Sequence, residues 1–158
     1  MYKRYSLFLL LSVLLILTAC GKKSNDETSK TPETNTSSVM EIKNAWMQPG
    51  SLNRNSALFC EIVNNTDKQD TLYEVDSDMA KLVQIHESYK AEGDMMGMRQ
   101  VDSVIVPAKS TVMFNPGGYH VMLIGLNSDM KIGSKGNAVF KFKNAGEVKV
   151  TGEVKAGE

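Results

Sequence analysis

The stretch STVMFNPGGYHVMLIGL, residues 110–126, holds the pattern that decides the fold. Two runs rich in aliphatic and aromatic residues, 110–114 and 119–126, flank the sequence NPGG. Pro followed by Gly is a strong turn signal, and the flanking runs have the length of β-strands. The stretch therefore predicts two strands joined by a tight turn that sets the register of the second strand.

The same pattern recurs through the rest of the chain. Short segments rich in valine and isoleucine are separated by Gly, Asn and Pro, and no stretch sustains a 3.6-residue period, although residues 77–83 could hold one helical turn. This organisation is typical of an all-β domain, a β-sandwich or Greek-key barrel, that closes with a hairpin. The predicted strands are residues 39–46, 56–63, 71–77, 81–88, 95–104, 110–114, 119–126, 137–144 and 147–154.

The first 38 residues do not belong to this domain. Residues 1–19 combine a basic start with an apolar run, which indicates a secretory signal peptide. The sequence LTAC resembles the lipobox of bacterial lipoproteins, which implies that Cys20 is lipidated and anchors an exported protein in a bacterial membrane, facing the periplasm or the cell exterior. Residues 20–38 have no aliphatic or aromatic side chain after Cys20, so we expect a flexible tether before a folded domain at 39–158.

Charge and cysteine content narrow the function classes. The chain has 18 basic and 18 acidic residues, and loss of Lys3 and Arg4 with the signal peptide leaves 16 basic against 18 acidic residues. A nearly neutral protein without a basic field is not expected to bind nucleic acid. With Cys20 lipidated, Cys60 has no partner for an internal disulfide, so the core must hold the domain together.

Histidine and methionine carry the strongest chemical signal. Residues two apart in a strand project from the same face, so His120 and Met122 point the same way, as do Met96 and Met98. Thioether sulfur is a soft donor that selects Cu(I), and imidazole also suits copper. Two histidines with two methionines would form a neutral Cu(I) site. The candidate donors are His86, His120, Met95, Met96, Met98, Met113 and Met122.

The spacing of these residues resembles a known signature. Met98 follows His86 by 12 positions, His120 follows Met98 by 22, and Met122 completes an H-x-M pair. Together with NAWMQPG, the block IHESYKAEGDMMGMRQVDSVIVPAKSTVMFNPGGYHVMLIGL and the ending AGEVKV, this is similar to the exported copper-chaperone family called PCu(A)C over residues 39–151. Only Met98, and neither Met95 nor Met96, fits the family spacing.

This resemblance implies a cupredoxin-like β-sandwich that binds Cu(I) through His86, Met98, His120 and Met122. It also implies delivery of copper to an acceptor protein, such as the copper centres of cytochrome c oxidase or another exported copper chaperone. No histidine follows His120, so the histidine-rich tail that some members use for Cu(II) is absent from the sequence. Glu87 stands where the family often has methionine, and it should point to the opposite strand face.

Two other functions are also compatible with the sequence. An electron-transfer copper protein would need the Cys60 thiolate with two histidines, although the apolar surroundings of Cys60 in LFCEIV predict a core residue. A metal-free β-sandwich adhesion or assembly lipoprotein would use its methionines as core filler. Catalysis is not expected, because the acidic residues are scattered and no nucleophile motif occurs.

Overall fold

The computed structural model describes residues 39–157. The predicted signal peptide 1–19, the predicted lipidation site Cys20 and the predicted tether to residue 38 lie outside the described residues. Residues 39–157 belong to one compact unit. Within this part of the chain, no helix combines the length and the apolar character needed to cross a bilayer.

Ten β-strands and a single 3₁₀ turn, Glu92–Asp94, make up the regular structure of the described residues. Most strands begin or end within two residues of the predicted boundaries, because alternating apolar residues and turn residues define them locally. The strands are β1 Met40–Met47, β2 Ser56–Asn64, β3 Asp70–Asp76, β4 Ala80–Lys90, β5 Met96–Gln100, β6 Val104–Val106, β7 Ser110–Phe114, β8 Tyr119–Leu126, β9 Lys135–Phe142 and β10 Gly146–Val154.

Two predictions about local structure are wrong. Residues 77–83 form no helical turn, because β4 already starts at Ala80 and pairs with β8 from there on. Residues 95–104 are not one strand, since the chain leaves β5 after Gln100 and reaches β6, at the far edge of the sheet, by Val104. In both places long-range strand pairing, which local sequence does not report, overrides the local pattern.

The strands form one hydrogen-bonded sheet in the order β5-β4-β8-β7-β2-β1-β10-β9-β3-β6, with an additional β8–β2 pairing. Strands β8 and β9 are far apart in this order, yet Val121 and Leu123 of β8 share one core cluster with Phe140 of β9. The sheet must therefore fold over on itself to enclose that core. The prediction of an all-β, cupredoxin-like β-sandwich is confirmed.

The strands β5, β4 and β8 form one end of this sheet and have two different faces. On the inner face, Ile85, Val121 and Leu123 are buried in the core. Because side chains alternate along a strand, the neighbours of these residues project from the outer face. The outer face therefore presents Gln84, His86 and Ser88 of β4, Met96, Met98 and Gln100 of β5, and His120 and Met122 of β8.

Candidate metal centre

Strand register brings the four predicted ligands onto this outer face. His86 of β4 lies directly opposite His120 of β8. Met98 of β5 lies opposite Ser88, which is two residues after His86 and therefore on the same face of β4. Met122 lies two residues beyond His120 on β8. Three strands from two separate parts of the chain thus gather both imidazoles and two thioethers on one patch of surface.

Three of the four side chains line a shallow depression. The ring centroids of His86 and His120 are 5.9 Å apart. A cavity of about 300 Å³ is lined by Met98, His120 and Met122, with Phe59 forming part of its wall. His86 stands beside this cavity, in contact with the His120 ring. The site is open to solvent on one side and rests on buried strand on the other.

His120 is held by the NPGG turn. Gly118 N–H donates to the carbonyl of Asn115 at 3.0 Å, and Gly117 has φ +83°, which with Pro116 makes a type II turn. The Gly118 carbonyl accepts from His120 Nδ1–H at 3.0 Å and from the Ser88 N–H at 3.1 Å. His120 is 4% exposed. Because Nδ1 carries the proton, the lone pair of His120 is on Nε2.

His86 is arranged differently. Its Nε2 is 3.1 Å from Gln84 Oε1, and its Nδ1 is buried without a hydrogen-bond partner among the described residues. Burial, and then the neighbouring His120, lower the pKa of His86, so the imidazole is neutral at pH 7 and keeps a lone pair. A buried nitrogen without a partner is costly in a folded protein, and a metal ion would satisfy it.

The two methionines differ in exposure. Met98 on the edge strand β5 is 62% exposed, whereas Met122 on the interior strand β8 is half-buried against the pocket wall. Met95 and Met96 are exposed like Met98. The donor set of two neutral imidazoles and two thioethers has no net charge, which suits a soft monovalent ion such as Cu(I).

Cys60 does not belong to this site. Its neighbour Phe59 faces the site, with its ring centroid 6.2 Å from that of His120, so the pleat directs Cys60 to the opposite face of β2. Cys60 is buried in the core, and burial raises the pKa of its thiol from 9.0 to about 12. A blue-copper centre, which needs this thiolate beside both histidines, does not fit this geometry.

Glu87, the turn residue Gly118 and two residues that the sequence did not single out complete the surroundings. Glu87 forms an ion pair with Arg99 at 2.8 Å, on the face opposite His86, as its strand position predicts. Phe59 and Gln84 contact the histidines but carry no motif, whereas the Gly118 carbonyl belongs to the predicted NPGG turn. Gln84 could have been found from its position two residues before His86, whereas Phe59 comes from another strand and depends on register.

The chain matches one known protein family over the whole β-domain. The family described as "Putative lipoprotein LpqE-like" matches residues 40–154, which span all ten strands. The chain belongs to the LpqE-like family. Among curated proteins, this LpqE-like chain is 26% identical over 144 residues to "Putative lipoprotein Lxx21020" from Leifsonia xyli subsp. xyli, covering 91% of the chain and 85% of that relative.

Solved structures similar to the LpqE-like chain include PCuAC domains, in agreement with the resemblance seen in the sequence. The copper-bound PCuAC domain from PmoF2 is 27% identical with a TM-score of 0.62, covering 75% of the chain and 93% of that domain. The apo PCuAC domain from PmoF1 has 23% identity and a TM-score of 0.64, covering 75% and 94%. Cu(I)-DR1885 from Deinococcus radiodurans has 22% identity and a TM-score of 0.60, covering 78% and 85%. At 23% and 22% identity, the similarities to the PmoF1 domain and to DR1885 show only that the fold is shared.

Proposed function

We propose that this protein is an extracytoplasmic copper chaperone that binds Cu(I) through His86, Met98, His120 and Met122. The observation that carries the proposal is Nδ1 of His86, which is buried beside His120 and has no hydrogen-bond partner within residues 39–157, on a face that also presents two thioethers. Neutral nitrogen and sulfur donors select Cu(I) over harder ions. The PmoF2 domain, which shares the fold, is copper-bound, and this supports the same cargo here.

Release of the ion would proceed by ligand exchange. Met98 is 62% exposed at the sheet edge, whereas His120 is 4% exposed and fixed by the Gly118 carbonyl. An incoming donor from an acceptor protein therefore reaches the Met98 side first, while His120 and Met122 still hold the ion. The protein needs no catalytic group for such a transfer, because each step replaces one soft donor by another.

The protein would be exported and held at a bacterial membrane, facing the periplasm or the cell exterior. Residues 1–19 would act as a signal peptide, Cys20 would carry the lipid, and 20–38 would tether the domain at 39–158 to the membrane. The match to a lipoprotein family supports this arrangement. The acceptor would be an exported copper protein, such as the copper centres of cytochrome c oxidase or another exported chaperone.

A Cu(I) titration of residues 21–158 against a coloured competing chelator tests the site. We expect one Cu(I) per chain. The Met122→Leu variant preserves side-chain volume and should fold normally, yet it removes a sulfur donor. Loss of a group that only orients a metal ligand typically lowers metal affinity by roughly tenfold to hundredfold. Because Met122 is proposed as a ligand itself, the Cu(I) affinity of Met122→Leu should fall by more than that. His120→Ala should lose stoichiometric binding.

Met96→Leu is the matched control for Met98→Leu, because both residues are exposed on the same face of β5. Only Met98→Leu should weaken binding. A loss confined to Met96→Leu would identify Met96 as the fourth ligand, and equal losses would contradict a specific role for Met98. Unchanged binding in Met122→Leu and His120→Ala would refute the four-ligand proposal. A chain that binds no Cu(I) at all would favour the metal-free lipoprotein instead.

A further inference from the structure

The geometry points to Gln84 as a positioning residue that fixes which nitrogen of His86 is free to bind the ion. This inference deepens the proposed function and rests on it for its purpose, although its structural part concerns the metal-free protein. Gln84 precedes His86 by two residues on β4, so both side chains project from the outer face. Gln84 also lies opposite Met122, at one end of the ligand patch.

A chain of two hydrogen bonds sets the direction of the contact. Gln84 Nε2 donates to Gln100 Oε1 at 2.9 Å, which turns the Gln84 carbonyl oxygen toward the other side. That oxygen is 3.1 Å from His86 Nε2. A carbonyl oxygen can only accept, so Nε2 of His86 must carry the proton. The lone pair of the neutral ring is then on Nδ1, the buried nitrogen that has no partner among the described residues.

The two histidines are thus held in opposite tautomers. His120 is protonated on Nδ1 by its bond to the Gly118 carbonyl, and it offers Nε2. His86 is protonated on Nε2 by its bond to Gln84, and it offers Nδ1. Groups that hydrogen-bond the second nitrogen of a metal-binding histidine fix its tautomer and ring orientation, and losing them typically costs roughly ten- to hundredfold in affinity. Here a backbone carbonyl orients one ring and a side-chain amide orients the other.

The first test reads the tautomers directly in the metal-free chain, residues 21–158, which contains the whole compact unit. Long-range ¹H–¹⁵N NMR spectra distinguish the protonated from the unprotonated ring nitrogen. We expect His86 in the Nε2–H form and His120 in the Nδ1–H form. In Gln84→Leu, His86 should become a mixture of tautomers while His120 is unchanged. A wild-type His86 in the Nδ1–H form, or an unchanged His86 in Gln84→Leu, would overturn the inference.

The second test measures Cu(I) affinity with the same chelator. Gln84→Leu should bind roughly ten- to hundredfold more weakly than wild type. Gln84→Glu keeps an acceptor oxygen, and it should restore both the tautomer and most of the affinity. Gln84→Leu with wild-type affinity would refute a role for Gln84 while leaving the copper proposal intact. If the wild-type chain binds no Cu(I), the proposed function fails, and the NMR result still decides what orients His86.

Discussion

At the scale of single residues, identical side chains acquire different chemistry from their surroundings. His86 and His120 face each other across two paired strands, yet each has a different hydrogen-bond partner, so a different nitrogen is free. Cys60 is a soft donor in principle, but β2 directs it into the core. The residue type therefore limits which metal-binding chemistry is possible, and the local contacts decide whether the donor atom is available.

The buried thiol gives a direct prediction at this scale. The pKa of Cys60 is raised to about 12, so the folded protein holds almost no thiolate at pH 8. We expect Cys60 in residues 21–158 to resist alkylation at pH 8 and to react fully once the chain is unfolded in guanidinium. Its proton is also retained in the folded state and released from the unfolded chain between pH 9 and 12, so stability should fall as the pH rises through that window. Rapid alkylation of the native chain would contradict this burial.

At the scale of elements, the NPGG turn links chain geometry to the metal centre. Its glycine at φ +83° permits the type II turn, and the turn positions the Gly118 carbonyl that orients His120. The edge hairpin β4–β5 serves the other half of the site, because it places Met98 beside His86. Each half of the centre thus depends on one local element, and the β4–β8 pairing joins them.

Gly117→Ala tests the role of the turn, with Gly133→Ala as its matched control. Both glycines have positive φ, at 83° and 84°, and neither would bring a new Cβ within 4 Å of another atom. Each substitution should therefore cost about 1–2 kcal/mol of unfolding free energy through backbone strain alone, measured by urea denaturation. Of the two glycines, Gly117 alone lines the ligand cavity, so only Gly117→Ala should also weaken Cu(I) binding. Equal Cu(I) affinities in the two variants would show that the conformation of the NPGG turn does not affect copper binding.

At the scale of the whole molecule, the folded-over sheet supplies rigidity to a solvent-open site. The inner face of β8 is part of the core, with Val121 and Leu123 fully buried, while the outer face carries His120 and Met122. The ligands on β8 are therefore anchored by the same packing that stabilises the fold. A bound ion should in turn stabilise the folded state.

Thermal unfolding measures this coupling. At a free Cu(I) concentration about 100 times the dissociation constant, binding to the folded state alone adds about 2.7 kcal/mol. For a domain of this size we expect the Tm to rise by roughly 10 °C. Met122→Leu at the same Cu(I) concentration should show a much smaller rise. An equal rise in that variant would mean that copper stabilises the protein through another site.

The amino-acid sequence by itself determined the strand pattern, the all-β class and the donor types, because turn residues, alternation and thioether chemistry are local properties. It could even place His120 and Met122 on one face, since a two-residue period needs no tertiary information. Only the tertiary structure decided that β4 pairs with β8, that His86 therefore meets His120, and that Phe59 of β2 packs beside them. Strand pairing is set by packing across the whole core. The hydrogen-bond partners that assign each imidazole its free nitrogen are local in the chain, two residues before each histidine, but Gln84 is oriented by Gln100 of β5, and that contact depends on strand pairing.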